Sequence, residues 1–328
     1  MFCEKIIAKK NEIEELRIFK HILVILFAVF PVFESYSQDL EPHLISALPT
    51  GGNFLIASYS HSNGNILVDN TIPIDNLDAN LNNIVVAYAR SFKLFNKLTK
   101  FDAILPYSFA AFSGVVSQID SSTSRNGFAD PLFRISMILI GTKPLTPADF
   151  FKREVKKFNL GVSFRLRIPT GQYFSDKLLN LGANRWAFKI GAAASYGFFK
   201  NKLILEAHLF SWFFTENKSF FNGNTLGQKP VVVAQAHISY TFKPGVWLAF
   251  SVGRSGLGMT VLNGEVLEDQ KQNNGRFGGA FAFRITKGHA LKIAYTSGVS
   301  TRYGADFNTL LIAYQFMWFD KDKKNNSE

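Results

Sequence analysis

Polar side chains recur at every second position of several segments, and they are the residues of this chain that could do chemistry. In the segment Pro230–Phe242, Gln235, His237 and Ser239 alternate with apolar or aromatic residues. Side chains on a β-strand alternate between its two faces, so the polar residues share one face. The same alternation in other segments gives a set of candidate solute-contacting residues, namely Arg134, Arg165, Arg167, Glu206, His208, Gln235, His237, Arg276 and Arg284. A second set of candidates lies beside strand ends and comprises Asp130, Asn184 and Arg185.

If the strands that carry these residues close into a β-barrel, two interpretations of the polar face are open. An arginine-lined lumen favours anionic or polarisable solutes. Alternatively, the arginines form hydrogen-bonded networks with Glu206, His208 and His237 that fill a narrow barrel and hold it shut. The residues beside strand ends have the same ambiguity, because Asp130 and Asn184 could bind a solute at the mouth or could simply set turns that launch strands.

The spacing of His237 and Ser239 also raises the hypothesis of a serine hydrolase that acts on lipids. A nucleophile and base acting on lipid should face the bilayer, whereas these two residues share the polar face, and no acid is placed to orient the histidine. We therefore predict that the protein is not an enzyme. The histidines outside the predicted signal peptide lack the spacing of metal ligands, so neither a metal site nor a cofactor is expected. They are His43, His61, His208, His237 and His289.

The composition favours a membrane protein that crosses with strands. The 328 residues include 34 phenylalanines and 15% aromatic residues, yet the mean hydropathy is only +0.06. The one long apolar run, Ile22–Phe33, is too short to span a bilayer as a helix. With Lys20 before it and Ser35-Tyr36-Ser37 after it, this run is typical of a signal peptide. We predict a signal peptide over residues 1–37 with an unusual N-terminal extension, a barrel over 38–319 and a polar tail over 320–328.

The charge and the cysteine content of the chain limit which binding partners and which kind of fold are expected. The formal net charge is +11, but the basic residues are scattered singly rather than clustered, so no nucleic-acid partner is expected. Cys3, the only cysteine, lies in the part predicted to be removed, which excludes a disulfide-stapled fold. The expected partners are outer-membrane lipid and a small-molecule solute, and the sequence leaves the oligomeric state open.

Strand-like segments recur at even intervals along the whole chain. About twelve are predicted, near residues 52–61, 83–93, 100–112, 131–141, 157–168, 185–198, 202–213, 230–242, 246–254, 275–284, 289–298 and 306–319. Their polar faces carry many small residues, as a crowded interior requires. The pattern predicts an all-β fold, a transmembrane antiparallel up-and-down β-barrel of about 12 strands.

The connections between these segments alternate in length. Short ones follow the even-numbered strands, except for 141–156, and long polar ones are predicted at 62–82, 113–130, 169–184, 215–229, 255–274 and 299–305. Outer-membrane barrels have short periplasmic turns and longer outer loops, and a soluble sandwich has no reason to sort its loops in this way.

Several motifs of the second half follow one another in the order and spacing of a known family. They are Gly127–Pro131, Ile168–Tyr173, Asn180–Trp186, Lys229–Pro230 leading to His237–Tyr240, Pro244–Trp247, Val261–Gly264, Asn274–Gly278 and Tyr303–Phe307. On these motifs, about residues 100–319 resemble the outer-membrane "transporter" barrel family labelled "putative MetA-pathway of phenol degradation", although Ala129 stands where that pattern has glycine.

The resemblance implies an outer-membrane barrel that takes up small molecules, with aromatic or hydrophobic compounds as candidates, and it carries over no catalytic residue. The function predicted from the sequence is therefore a porin-like transporter or channel in the cell outer membrane. A closed structural or surface-interaction barrel is the alternative, and a lipid hydrolase is a remote one.

Overall fold

The computed structural model of the chain describes residues 14–15, 40–67, 74–300 and 304–320. The predicted signal peptide, residues 1–37, lies outside these ranges except at two positions. Most of the predicted tail, residues 320–328, also lies outside them. These two predictions therefore stay predictions.

Strands make up nearly all of the regular structure in the described residues. The strands of the main sheet are β1 (Gly52–Leu67), β2 (Ile74–Leu94), β3 (Lys97–Val116), β4 (Ile119–Phe128), β5 (Leu132–Ile140), β6 (Phe158–Arg167), β7 (Ala187–Phe198), β8 (Leu203–Phe214), β11 (Val231–Lys243), β12 (Val246–Leu257), β15 (Gln272–Thr286), β16 (His289–Ser300) and β17 (Gly304–Phe319). Four short strands lie in the connections, namely β9 (Asn217–Phe220), β10 (Asn224–Gln228), β13 (Thr260–Leu262) and β14 (Glu265–Leu267). A single helical turn, α1 (Pro147–Phe150), begins at the N-cap Thr146.

The main sheet closes on itself. Adjacent strands are antiparallel, and β1 pairs with β17 to complete the ring. The order around the ring is β1, β2, β3, β5, β6, β7, β8, β11, β12, β15, β16 and β17. Strands β4 and β5 pair with the two halves of β3, so together they occupy one position and the barrel has twelve positions within the described residues. Closure leaves no sheet edge to protect, which is the condition for spanning a membrane with strands. The predicted fold class is confirmed.

The alternation seen in the sequence separates the two faces of the barrel wall. On the inner face, Gln235 and Arg165 are 2% and 4% exposed. On the outer face, Phe164 is 40% exposed and Leu209 is 59% exposed. A large, continuous apolar outer surface is the property that the lipid-facing side of a membrane barrel has. A sandwich core that buries Phe164 between two sheets is excluded.

The barrel wall is much taller on one side than the sequence analysis predicts. Strand β3 has 20 residues and β2 has 21, about twice the 9–11 residues that cross a bilayer. The prediction of a long loop over residues 113–130 is therefore wrong, because β3 and β4 continue through this segment as a hairpin with Ser113 opposite Ser122. The segment 62–82 is also mostly strand, since β1 reaches Leu67 and β2 begins at Ile74.

The two ends of the barrel differ in their connections. At one end, the short-turn end, two-residue turns join β2 to β3, β11 to β12 and β15 to β16, and four residues join β7 to β8. The connection with α1 is the long exception at this end. At the other end, the long-loop end, the connections at 168–186, 215–230 and 258–271 are long. The last two of these carry β9, β10, β13 and β14, which pair as a separate four-stranded sheet. Among the helices of the described residues, we find none with the length and apolarity needed to cross a membrane.

Candidate solute site in the barrel lumen

A stretch of chain that precedes the first strand lies inside the barrel. We call Leu40–Thr50 the N-terminal segment. The Nη1 atom of Arg134 lies 2.9 Å from Oε2 of Glu41, and Nη2 of Arg165 bonds to the other oxygen of the same carboxylate. The backbone N–H of His43 donates to Oε2 of Glu206 at 2.6 Å. The N-terminal segment is therefore attached to β5, β6 and β8, which lie side by side with β7 in the wall.

Apolar contacts add to these polar ones. Leu44 and Ile45 are 4% and 1% exposed, and they belong to a buried apolar cluster with inward-facing residues of the wall, such as Phe210 and Val233. The Nζ atom of Lys100 bonds to the backbone carbonyl of Leu44. The lumen of this barrel is thus filled at mid-height by the chain itself, and the wall provides both charge and apolar surface for it.

The carboxylates of Glu41 and Asp102 hold two of the predicted lumen arginines. Arg134 donates to Asp102 through Nε at 2.6 Å and to Glu41 through Nη1. Arg165 is 4% exposed and shares Glu41. Two guanidinium groups around one carboxylate make a compact ion cluster, which low dielectric surroundings strengthen.

A histidine pair lies on the same side of the lumen. Nε2 of His237 is 3.3 Å from Nδ1 of His208, and Nδ1 of His237 is 2.7 Å from Oγ of Ser251. Both rings are about 3% exposed, and Gln235 lies next to His208 across the strand pair. This is the hydrogen-bonded arrangement that the second interpretation of the polar face describes. His237 contacts Ser251 rather than Ser239, and both serines face the filled lumen instead of lipid.

On the long-loop side of the N-terminal segment, two further predicted residues come together. Arg167 and Arg185 line a cavity of about 200 Å³ with Trp212, Phe214 and other residues of the wall. Burial lowers the pKa of Arg185 to about 10, and the positive charge of Arg167 lowers it in the same direction. Two positively charged side chains therefore line the same cavity.

The residues beside the strand ends hold the loop 168–186. Asp130 is 6% exposed and accepts the backbone N–H groups of Gly171 and Ala183, each at 2.9 Å. Asn184 has a positive φ of 49° and donates to Oδ1 of Asn217 at 2.9 Å. These contacts are what turn-setting residues make, so the geometry favours the structural interpretation of Asp130 and Asn184 over solute binding.

Two of the predicted lumen residues lie apart from the others. Arg276 donates to the backbone carbonyl of Phe307 at 3.1 Å and so joins β15 to β17. Arg284 is exposed at the short-turn end, beside Gly245. Neither residue lines the cavity that contains Arg167 and Arg185.

The sequence analysis missed the residues of the N-terminal segment, Glu41 and His43. They stand in a short stretch that precedes the first strand, and their partners are 93 to 163 positions away in the chain. The one signal was the position of a carboxylate just before the first strand of a barrel whose polar face is rich in arginine. In the described residues, no group of three or more histidine, cysteine or acidic side chains is arranged to hold a metal ion.

Comparisons with known proteins agree with this architecture. The model of the family described as "Putative MetA-pathway of phenol degradation" matches residues 58–314. Among solved structures, the COG4313 outer membrane channel from Pseudomonas putida F1 is 20% identical, with 85% of this chain and 100% of that chain covered and a TM-score of 0.72. A search of curated proteins finds no match.

Two autotransporter barrels are more distant. The β domain of the Bordetella autotransporter BrkA is 12% identical, with 82% of this chain and 100% of that chain covered and a TM-score of 0.47. The translocator domain of NalP from Neisseria meningitidis is also 12% identical, with 83% of this chain and 90% of that chain covered and a TM-score of 0.48.

Proposed function

Because the chain belongs to the family described as "Putative MetA-pathway of phenol degradation", we propose that it is an outer-membrane channel for small solutes that its own N-terminal segment closes at rest. The apolar outer face of the barrel supports a place in a membrane. The likeness of its fold to the COG4313 outer membrane channel supports the outer membrane in particular.

The observation that carries this proposal is the way in which the lumen is filled. A barrel of eight strands is filled by the side chains of its own wall, whereas one of sixteen leaves a channel. Here the twelve-position wall leaves room for a separate stretch of chain, and Leu40–Thr50 occupies it. That stretch is attached by ion pairs, hydrogen bonds and apolar packing, all of which can break reversibly.

The orientation follows from the connections. Both ends of the described barrel, Gly52 and Phe319, lie at the short-turn end, where they pair with each other. In outer-membrane barrels the chain ends and the short turns are periplasmic. The long-loop end, with the cavity that contains Arg167 and Arg185, would then face the outside of the cell. Protease added to whole cells should cut the connections 168–186 and 258–271 and spare the short turns.

Conductance in planar bilayers tests the channel itself. The refolded protein should show low conductance, and a variant that lacks residues 40–48 should show a larger and steadier one, because the lumen is then empty at mid-height. The same variant should also admit small sugars in liposome swelling. If neither protein conducts, the proposal is wrong.

A closed barrel with a role at the cell surface is the second candidate function. The observation that favours it is the tall wall of β2, β3 and β4, which extends well past the length needed to cross a bilayer. Absence of conductance in the variant without residues 40–48, together with a folded barrel, would favour this candidate.

A further inference from the structure

Lysines that are scattered along the sequence come together at the short-turn end of the barrel. In the described residues, each of the five connections at this end has an exposed lysine within it or directly beside it. The five connections follow one another around the closed wall, so the positive charge forms a ring around the barrel rather than a patch on one side. We call these lysines the basic rim, and they are Lys97, Lys152, Lys156, Lys200, Lys243 and Lys287.

Acidic residues do not balance this ring of charge. The fifth connection, which carries α1, contains Asp149 and Glu154. Asp149 accepts a hydrogen bond from the hydroxyl of Thr146 at 2.8 Å, and Glu154 lies 3.0 Å from Lys156. Each of the three long connections at the opposite end contains both acidic and basic residues, so the two ends of the barrel differ in charge. The other four connections of the short-turn end contain no acidic residue in or beside the turn, over 93–97, 199–202, 243–245 and 284–288.

Large apolar side chains stand next to these lysines. Phe95, Phe151 and Phe242 are 83%, 77% and 55% exposed, and each lies within two positions of a lysine of the basic rim. This combination is typical of the boundary of a membrane, where an aromatic ring reaches the acyl chains and the ammonium group stays among the headgroups. The turns of the short-turn end therefore have the composition of segments that lie in the headgroup region.

The turn between β2 and β3 gives a second sign of a contact outside the chain. Phe95 and Asn96 have φ angles of 47° and 59°. Turns with two positive φ angles prefer asparagine and glycine, and this conformation is unfavourable for a bulky side chain. The ring of Phe95 gains almost no burial within the chain in return, since it is 83% exposed. A contact with lipid would account for a phenylalanine at this position.

We propose that the basic rim binds the headgroups of anionic phospholipids in the periplasmic leaflet and concentrates these lipids around the short-turn end. Lysines near an anionic membrane surface are attracted to it, and a compact ammonium charge can pair with a phosphate without a fixed geometry. The ring shape favours lipid over an acidic protein, because a leaflet surrounds the barrel on all sides whereas a protein partner would meet one patch. The inference goes beyond the channel function, and it rests on the place and orientation in the membrane that we proposed with that function.

Two tryptophans on the outer face can report on the lipid at each end. Trp318 is 38% exposed near the end of β17 at the short-turn end, and Trp186 is 42% exposed beside the start of β7 at the long-loop end. Trp212 and Trp247 lie on the lumen side, where Trp212 lines a cavity and the ring of Trp247 lies 4.6 Å from that of His43. The variants Trp186→Phe and Trp318→Phe therefore each keep a single lipid-facing reporter.

Quenching by brominated lipids tests the proposal on the refolded full chain. The vesicles contain equal parts of phosphatidylcholine and phosphatidylglycerol, and bromine is placed on the acyl chains of one lipid or of the other. Both leaflets have the same composition, so the direction of insertion does not matter. At Trp318, phosphatidylglycerol should be preferred at least about threefold, since the attraction of a single lysine to an anionic surface corresponds to about fivefold. At Trp186 the two lipids should quench equally. About 1 M salt should remove the preference at Trp318, because the Debye length then falls to about 3 Å.

A variant pair assigns the preference to the basic rim. Arg284→Gln combined with Lys287→Gln removes two exposed charges from the turn that joins β15 to β16, beside the strand end that carries Trp318. This double variant should lower the preference at Trp318 at least about twofold. Lys218→Gln combined with Lys271→Gln is the matched control, since both residues are exposed in the long connections, and it should leave the preference unchanged. Heat-modifiable migration on gels checks that the variants fold, and the comparison of the two reporters needs no change in the rim.

Three results would overturn the proposal. Equal quenching of Trp318 by the two lipids would show that the rim does not select anionic lipid, and it would favour an acidic protein as the partner of the rim. The same preference at Trp186 and Trp318 would assign it to the overall positive charge of the chain. An unchanged preference at Trp318 in the double variant of the β15–β16 turn would remove the lysines and arginines of the rim as its cause.

The outcome for the rim is separable from the outcome for the channel. Quenching in vesicles does not require conduction, and conductance in planar bilayers does not require phosphatidylglycerol. If the variant without residues 40–48 conducts but Trp318 shows no lipid preference, the rim is wrong and the channel stands. If Trp318 shows the preference but neither protein conducts, the channel is wrong and the rim stands.

Discussion

Removal of one carboxylate charge should open the lumen. Glu41 pairs with Arg134 and Arg165, and the three side chains are 16%, 17% and 4% exposed. Loss of one partner from a buried ion pair costs about 3–5 kcal/mol. In the variant Glu41→Gln the amide oxygen still accepts one hydrogen bond and Arg134 keeps Asp102, so we expect a loss of about 2 kcal/mol in the docking of the N-terminal segment.

A loss of this size shifts the ratio of open to closed channel by about 30-fold. Single-channel recording in planar bilayers measures that ratio directly, as the time spent at the higher conductance level. Glu154→Gln is the matched control, because Glu154 lies in the connection at the short-turn end and its side chain is 83% exposed. The control should behave like the unmodified protein.

Two results would refute the reasoning. If Glu41→Gln and Glu154→Gln give the same open-to-closed ratio as the unmodified protein, the ion cluster does not hold the N-terminal segment in the lumen. If Glu41→Gln lowers the stability of the whole barrel and leaves the ratio unchanged, the carboxylate supports the wall and not the closure.

Three further variants test other parts of the structure. Phe164→Arg places a charge on the lipid-facing surface and should destabilise the barrel by about 2–4 kcal/mol in a urea titration in lipid vesicles, whereas Phe151→Arg, in an exposed turn, should change little. Asp130→Asn weakens the two backbone contacts that hold the loop 168–186 and should make this loop the first site of limited proteolysis; unchanged cleavage would contradict the structural role of Asp130. Arg167→Glu should lower the preference for anions of the variant without residues 40–48, measured as a reversal potential in a salt gradient, and an unchanged potential would put Arg167 outside the permeation path.

The alternation of faces was enough to predict the membrane-spanning part of the wall. The strand predicted at 185–198 is Ala187–Phe198 in the structure, and the strand predicted at 202–213 is Leu203–Phe214. Inside a membrane, one face of a strand contacts lipid and the other contacts the lumen, so the contrast between the faces is high. That contrast is a property of single segments, and a single sequence reveals it.

The hairpin of β3 and β4 could not be predicted in the same way. Above the membrane both faces of a strand meet polar surroundings, so the contrast disappears and the serine-rich stretch 117–126 has the composition of a loop. The turn gives no help either, because Ser117 and Gln118 have φ angles of 49° and 68°. Such two-residue turns usually contain asparagine and glycine, which tolerate positive φ more easily.

The arginines of the polar face lie at two different heights in the barrel. Arg134 and Arg165 lie at the level of Glu41 and form the network, since the carboxylate that neutralises them comes from the N-terminal segment. Arg167 and Arg185 lie nearer the long-loop end, where they line a cavity together with Trp212 and Phe214. The excess of arginine in the wall thus has two causes. One part is complementary to the segment that closes the barrel, and the other lines the cavity at the long-loop end.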